Sequence, residues 1–311
     1  MIRARVLGSA AGGGVPQWNC GCENCLLARK GDRRIRRRTQ DSLALGTGGD
    51  RWLLVNASPD VLRQLEAFDA LWPRSRRDTP ISAIALTNGD LDHVLGLFSL
   101  RESQALRVLA TSAVRTGLVE RNAMLRTLAR TPDQVAWTPL PLGQEVTLED
   151  VGLGVTAVPL PGKLPVHLVG LTTPSPEDNV ALLIRDITAS GAPSSGSRGQ
   201  ATIVIATSAG TLDDIAALVK GADAVFFDGT FWSQDELIVQ GLGTAHARDM
   251  AHAPVGGPDG SLARLADVRA SRRVYTHINN TNPMLREGSP ERMAVERAGW
   301  EIAFDGMEVC V

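Results

Sequence analysis

Three of the four cysteines fall in one short run, Cys20-Gly21-Cys22-Glu23-Asn24-Cys25. Thiolates this close suit tetrahedral Zn(II), with a fourth ligand supplied from elsewhere in the chain. A disulfide would leave one of the three unpaired. Three thiolates leave little room for a labile position, so the expected role is structural, with buried or redox-active thiols as the alternative. Cys310 is expected to be a small buried hydrophobe. Three apolar runs end in ligand-type residues: Ile84-Ala85-Leu86-Thr87 leads to Asn88-Gly89-Asp90-Leu91-Asp92-His93, Val225-Phe226-Phe227 leads to Asp228-Gly229-Thr230, and Val274-Tyr275-Thr276 leads to His277-Ile278-Asn279-Asn280-Thr281-Asn282-Pro283. Sites in α/β proteins gather at strand ends, where loops are free of packing duty while the strands hold them in place. A single such His is usually a satisfied structural residue; three converging strand ends weaken that reading.

The elements that must position these residues follow from apolar patterning. Strands are expected at Ile2 to Leu7, Ser42 to Leu45 and Arg51 to Val55, the last two joined by a Gly-Gly-Asp turn. Ser58-Pro59 reads as N-cap and N1 of a helix whose apolar face is Val61, Leu65, Phe68 and Trp72. Strand–helix alternation then runs through Ile81 to Leu86, a helix from about Asp92, Leu106 to Ala110 and a helix through Met124. A β-rich stretch spans Val146 to Ile184. Alternation resumes with Thr202 to Ala206, Leu212 to Val219, Ala224 to Phe227, Leu262 to Ala270 and Val274 to Thr276. The low-complexity segment from Asp186 to Gln200 is expected to be a flexible hairpin loop. Gly8 to Gly14 is no nucleotide loop, since no GK[ST] follows. The Arg33 to Arg38 run is expected to be a solvated face. Nothing divides the sequence, so residues 1–311 are expected to form one α/β domain with two sheets.

Composition narrows the function classes. The 311 residues are 43% hydrophobic, with Lys+Arg 32 against Asp+Glu 34 for a net charge of −2. A nucleic-acid binder would usually be visibly basic. No run approaches the roughly 18–20 apolar residues of a membrane helix, and no secretion signal is evident. No nucleic acid, no membrane and a cytoplasmic location are therefore expected. His is scarce, at five residues.

Asn88-x-Asp90-x-Asp92-His93 resembles the H-x-H-x-D-H signature of the metallo-β-lactamase fold, with its first two His replaced. More diagnostic are Gly14-Val15-Pro16-Gln17-Trp18-Asn19-Cys20-x-Cys22-x2-Cys25, Asn56-Ala57-Ser58-Pro59-Asp60, Asp228-Gly229-Thr230-Phe231-Trp232, the His277 to Pro283 segment and Phe304-Asp305-Gly306-Met307. Together they resemble the coenzyme PQQ (pyrroloquinoline quinone) synthesis protein B family over essentially the full length. The resemblance implies an αββα sandwich with its metals at one edge.

It also implies which metal positions persist. The first site of the fold's dinuclear hydrolases is dismantled: Asn88 and Asp90 replace its His pair, Leu160-Pro161-Gly162-Lys163 lacks the third His, and Thr207-Ser208-Ala209-Gly210 lacks the bridging carboxylate. Asp92, His93 and His277 remain, the ligand types of a facial-triad Fe(II) centre. The implied activity is O2-dependent hydroxylation of the tyrosine ring in a Glu–Tyr-derived precursor, with a reductant the sequence does not name. Asp228 and His252 are expected to orient ligands or move protons, and Asp90 to meet substrate or a weak second metal. His167 and His246 read as ordinary polar residues. Asn280 stands where some phosphodiesterases of the fold carry the His that completes the cysteine site, which makes Asn280, water or another side chain the fourth zinc ligand. Other PQQ biosynthesis proteins are candidate partners, and a homodimer is compatible with the sequence. The competing readings are a Zn-dependent hydrolase and a carrier of the finished quinone.

Overall fold

Period-two alternation within apolar runs sorts each strand's side chains between two buried layers. A computed structural model describes residues 1–102, 104–123, 127–128, 134–188 and 200–311. Along the chain come β1 (Arg3–Gly8), β2 (Ser42–Gly46), β3 (Trp52–Val55), β4 (Ile81–Ala85), β5 (Leu106–Ala110), β6 (Val135–Pro139), β7 (Glu145–Leu148), β8 (Leu153–Pro159), β9 (Val180–Asp186), β10 (Thr202–Ala206), β11 (Ala224–Asp228), β12 (Arg272–Thr276), β13 (Glu301–Ile302) and β14 (Glu308–Cys310). They build two seven-stranded sheets, ordered β14-β1-β2-β3-β4-β5-β6 and β13-β12-β11-β10-β9-β8-β7. Leu43, Leu45, Leu53 and Val55 from the first sheet meet Leu182, Ile184, Ile203, Ile205 and Phe226 from the second in a central core. The alternate residues, Leu54, Ile84 and Val108 on one side and Val204, Val225 and Phe227 on the other, pack outward under helices and loops. Sheets covered on both faces require strands that are apolar throughout, and the result is the expected αββα sandwich.

Topology then places the polar ends. β3, β4 and β5 run parallel, as do β10, β11 and β12. Their C-terminal ends therefore open on the loops carrying Asn56, Asp92–His93, Asp228 and His277, and such ends are where open α/β sheets build sites. The glycine-rich segment after β1 links the sheets: Ala10 bridges to both Gln40 and Ile278. A Cβ on Gly12 would lie 3.2 Å from the Asp92 carboxylate, so the absence of a side chain lets this segment close over the acid.

Several sequence expectations are corrected. The helix after β3 is α2 (Val61–Glu66), with Asp60 at its N-cap rather than Ser58; the Ser58 hydroxyl instead accepts from Asp60 N–H. Trp72 is half exposed, because a 3-10 turn at Asp69–Leu71 shifts the phase and buries Leu71 instead. The helix expected through Met124 is Ser112–Arg115 followed by a π turn at Thr116–Glu120, and Met124 lies outside the described residues. The later helices shorten to Ile215–Leu218 and Ser261–Arg264. Cys310 is exposed, on the edge strand β14. Arg38 is buried, unlike the other arginines of its run. The expected flexible loop falls mostly on residues 189–199, outside the described residues. Among the described residues, no helix is long and apolar enough to cross a membrane.

Gly96 opens the helical turn Gly96–Ser99 and lies against the 57–58 backbone, where an added Cβ would meet Ser58 O at 2.3 Å and Ala57 O at 2.7 Å. Backbone cannot yield as a flexible side chain can, so Gly96→Ala should destabilise the fold by about 1–3 kcal/mol. Gly49→Ala, with nothing within 4 Å of the new Cβ, should stay within about 0.5 kcal/mol of the parent. Urea denaturation measures both.

Candidate metal centre

Each imidazole at the sheet edge is anchored on its Nδ1 side. β3 ends at Asn56, which takes the left-handed region (φ 61°) and so turns its amide toward the end of β4. Asn56 Oδ1 accepts from Thr87 N–H at 3.1 Å and from the Thr87 hydroxyl at 3.0 Å. The backbone donor fixes the amide's orientation, and the hydroxyl proton is thereby used. Thr87 Oγ1, 2.9 Å from His93 Nδ1, must therefore accept from that nitrogen, leaving Nε2 with its lone pair free. The turn α3 (Leu91–Val94) is held to the same loop, since Ala57 N–H donates to His93 O and Gly96 N–H to Ala57 O.

His277 repeats the device from the second sheet. It follows β12 with φ 54°, and its Nδ1 lies 2.9 Å from Thr230 Oγ1. That hydroxyl lies 2.6 Å from Asp228 Oδ1, and Asp228 also accepts from the backbone N–H groups of Thr230 and Ala209. Asp228 Oδ2 receives His252 Nδ1 at 2.7 Å. With every oxygen engaged and the side chain fully buried, Asp228 orients its neighbours and has no lone pair to spare for an ion. His252, after the positive-φ residue Ala251, stacks on His277 with ring centroids 5.4 Å apart.

The free nitrogens converge on one acid. Asp92 Oδ2 lies 3.4 Å from His277 Nε2 and 3.7 Å from His93 Nε2. Ligand atoms around an ion at about 2.1 Å sit about 3.0–3.5 Å apart, so these three atoms need move only slightly to share one. His93 Nε2 is buried and has no hydrogen-bond partner, a cost that coordination would remove. Burial holds the His93 pKa below the ordinary imidazole value, as a ligand requires. At His277, burial opposes the charged form, but the hydrogen bond and charge of Asp92, backed by Asp41 and Asp228, raise its pKa to about 9. Burial also works against the Asp92 carboxylate, yet the charge of His93 and the His277 hydrogen bond hold its pKa well below the usual range. In the apo protein, Asp92 and His277 therefore form a part-buried ion pair. Asp90 lies outside the cluster that brings Asp92, His93 and His277 together. Burial raises its pKa, Asp92 adds to the effect, and the nearby Lys163 charge opposes it.

The cysteine segment forms a separate cluster. Cys22 is the N-cap of α1 (Glu23–Lys30), and the sulfurs of Cys20, Cys22 and Cys25 lie within 4.8 Å of one another. The Asn280 amide covers all three, its Nδ2 3.1, 3.5 and 3.3 Å from Cys20, Cys22 and Cys25 Sγ. Turned over, the same amide would present Oδ1 at the fourth corner of a tetrahedron. Burial pushes the Cys25 thiol up to about 12, and the Cys22 and Cys20 sulfurs add to it, so a cation is needed for all three to ionise. The buried Asn24 side chain donates to Asn280 O and Asn282 O, tying the His277 loop to α1. His167 and His246 join neither cluster.

Sequence reading missed the anchors Asn56, Thr87 and Thr230, although the Asn56 and Thr230 motifs stood out. Asp41 gave no signal. It is buried beneath the centre and accepts from the Thr276 hydroxyl at 2.9 Å.

A metal entering this centre must displace the His277 proton. Apparent affinity should therefore rise about tenfold per pH unit from neutrality and level off above pH 9 or so, where His277 is already neutral. Competition titrations against a chelator of known pH dependence measure the slope.

The fold and the sequence have counterparts among known proteins. A model for the beta-lactamase superfamily domain matches residues 51–278. A coenzyme PQQ synthesis protein B from Methylobacterium nodulans is 46% identical, covering 98% of this chain and 99% of its own. One from Ruegeria pomeroyi is 42% identical, covering 98% of each. The solved structure of Zn(2+)-bound PqqB from Methylobacterium extorquens has a TM-score of 0.87 at 40% identity, covering 99% of this chain and 100% of that one. A diphosphatase of the PhnP family shares the fold, with a TM-score of 0.67 at 19% identity over 99% of this chain and 96% of its own. With full-length identity to relatives of one name, on the fold that the superfamily model describes, the chain belongs to the coenzyme PQQ synthesis protein B family of the beta-lactamase superfamily.

Proposed function

We propose that this chain acts in PQQ formation by hydroxylating the tyrosine ring of a Glu–Tyr-derived precursor, using O2 at a mononuclear ferrous centre. The observation that carries the reading is the convergence of two imidazole Nε2 atoms on the single Asp92 carboxylate, with Asn88 and Asp90 in place of the His pair of a second metal. Asp92, His93 and His277 would hold the ion, and Cys20, Cys22, Cys25 and Asn280 a structural zinc. A ferrous ion supplies the redox chemistry with dioxygen that closed-shell zinc lacks. The zinc named for the Methylobacterium extorquens relative supports metal binding in the family without choosing between the clusters.

The surrounding residues have assignable tasks. Asp228 holds His252 by Nδ1, so Nε2 is the nitrogen available to take or return the phenolic proton. Asp90, with Lys163 nearby, would meet a charged end of a peptide-like substrate. One oxygen atom enters the ring and the other leaves as water, with two electrons from an external reductant.

Anaerobic loading with Fe(II), followed by O2, ascorbate and a Glu–Tyr dipeptide, tests the reading by mass spectrometry. A product carrying one or more added oxygens on the tyrosine is expected. Failure to form it, with tight binding of finished PQQ, would favour a carrier; phosphodiester turnover with zinc would favour a hydrolase. His93→Ala and His277→Ala should each abolish the product and lose the iron while keeping the cysteine-bound zinc, read by elemental analysis. Cys22→Ser should instead lose that zinc and lower thermal stability.

A further inference from the structure

We propose that the chain carries a second ligand site, a cationic cavity beside the metal centre that binds a small polycarboxylate anion. The cavity has a volume of about 530 Å³ and is lined by Arg5, Arg37, Arg38 and Arg63, with Phe68 on its wall. Its volume falls within the roughly 300–1,000 Å³ of small-molecule sites. Gly13 and Gly14 line it, while the adjoining Gly12 meets Asp92. It is thus separate from the centre yet shares a segment with it.

The guanidiniums are not all spoken for. Arg5 is paired with Glu308. Arg38 is only 5% exposed; its Nη1 donates to Ala303 O and Ser9 Oγ, its Nε is closed off, and its Nη2 makes no hydrogen bond with a described residue. A buried cation short of an acceptor is costly, and a carboxylate on Nη2 would lower that cost. Arg37 and Arg63 make no ion pair or side-chain hydrogen bond with any described residue.

Four arginines against two acids, Asp60 and Asp305, leave the lining net positive. Asp60 Oδ2 accepts from Gln40 N–H and Nε2. Asp305 accepts from the backbone and hydroxyls of Ser9 and Thr39. Guanidiniums on different chain segments ask for more than one carboxylate.

Calorimetric titration of the metal-loaded protein at constant ionic strength tests this, using benzene-1,3,5-tricarboxylate, benzoate, inorganic phosphate and a glutamate-rich peptide. One equivalent of the tricarboxylate should bind at least about tenfold more tightly than any of the other three. The exposed double variant Arg37→Ala/Arg63→Ala should weaken it about tenfold or more, with metal content and thermal unfolding unchanged. Arg38→Lys, which keeps the charge but loses the fork, should also weaken it. Equal binding of phosphate would reveal an unselective basic patch, and preferential binding of the peptide a protein-docking surface. Either result overturns the proposal, as would no saturable binding or affinity unmoved by the double variant. Tricarboxylate binding lost in His93→Ala but kept in Arg37→Ala/Arg63→Ala would place the anion on the metal and overturn it too.

Discussion

Two threonine hydroxyls decide what the metal centre can be. Thr87 and Thr230 each sit within 2.9 Å of an Nδ1, of His93 and His277 respectively, and the Nε2 atoms are thereby left to face Asp92. Without these contacts either ring could flip, and the convergence would be lost. Each hydroxyl is in turn held by a neighbouring side chain: Asn56 for Thr87, and Asp228, which also holds His252, for Thr230. This second layer is what makes an arrangement of three ligand atoms persist in the apo protein, where Asp92 carries a charge against a protonated His277. Removing one partner would strand a buried charge, which costs far more than the pair contributes.

That layer depends on the sandwich. Parallel strands from both sheets end at the same edge, so residues far apart in sequence, such as Asn56, Thr87, Asp228 and Thr276, become neighbours without long loops. Positive φ values at Asn56, His277 and Ala251 are concentrated here. Non-glycine residues persist in that region only where surrounding structure imposes it, and here hydrogen bonds at each strand end do so. The glycine-rich segment after β1 completes the enclosure, touching Asp92 through Gly12 and the arginine cavity through Gly13 and Gly14.

Much of this was legible in the sequence because it rested on local signals. Apolar runs such as Thr202 to Ala206 and Ala224 to Phe227 located strands within a residue or so, and the polar residues after them located the candidate site. Asn280, singled out by its spacing from His277, lies over all three cysteines. What stayed hidden was set by tertiary packing. Arg38 looked like one more surface cation, and only its burial distinguishes it. Asp41 follows an unremarkable Thr-Gln pair and becomes significant solely because β2 passes beneath His277. Short helices were overextended because apolar periodicity continues past a helix end that a turn has already closed, as at Trp72.

The proposed chemistry stands on one metal ion held by nitrogen and oxygen, apart from the sulfur cluster. Iron K-edge X-ray absorption of the iron-loaded protein tests this most directly. The expected spectrum shows nitrogen and oxygen scatterers only, with the multiple scattering of two imidazoles. Sulfur at about 2.3 Å would place the iron among the cysteines, and a metal–metal vector at about 3.5–4 Å would restore a dinuclear centre; either would contradict the account.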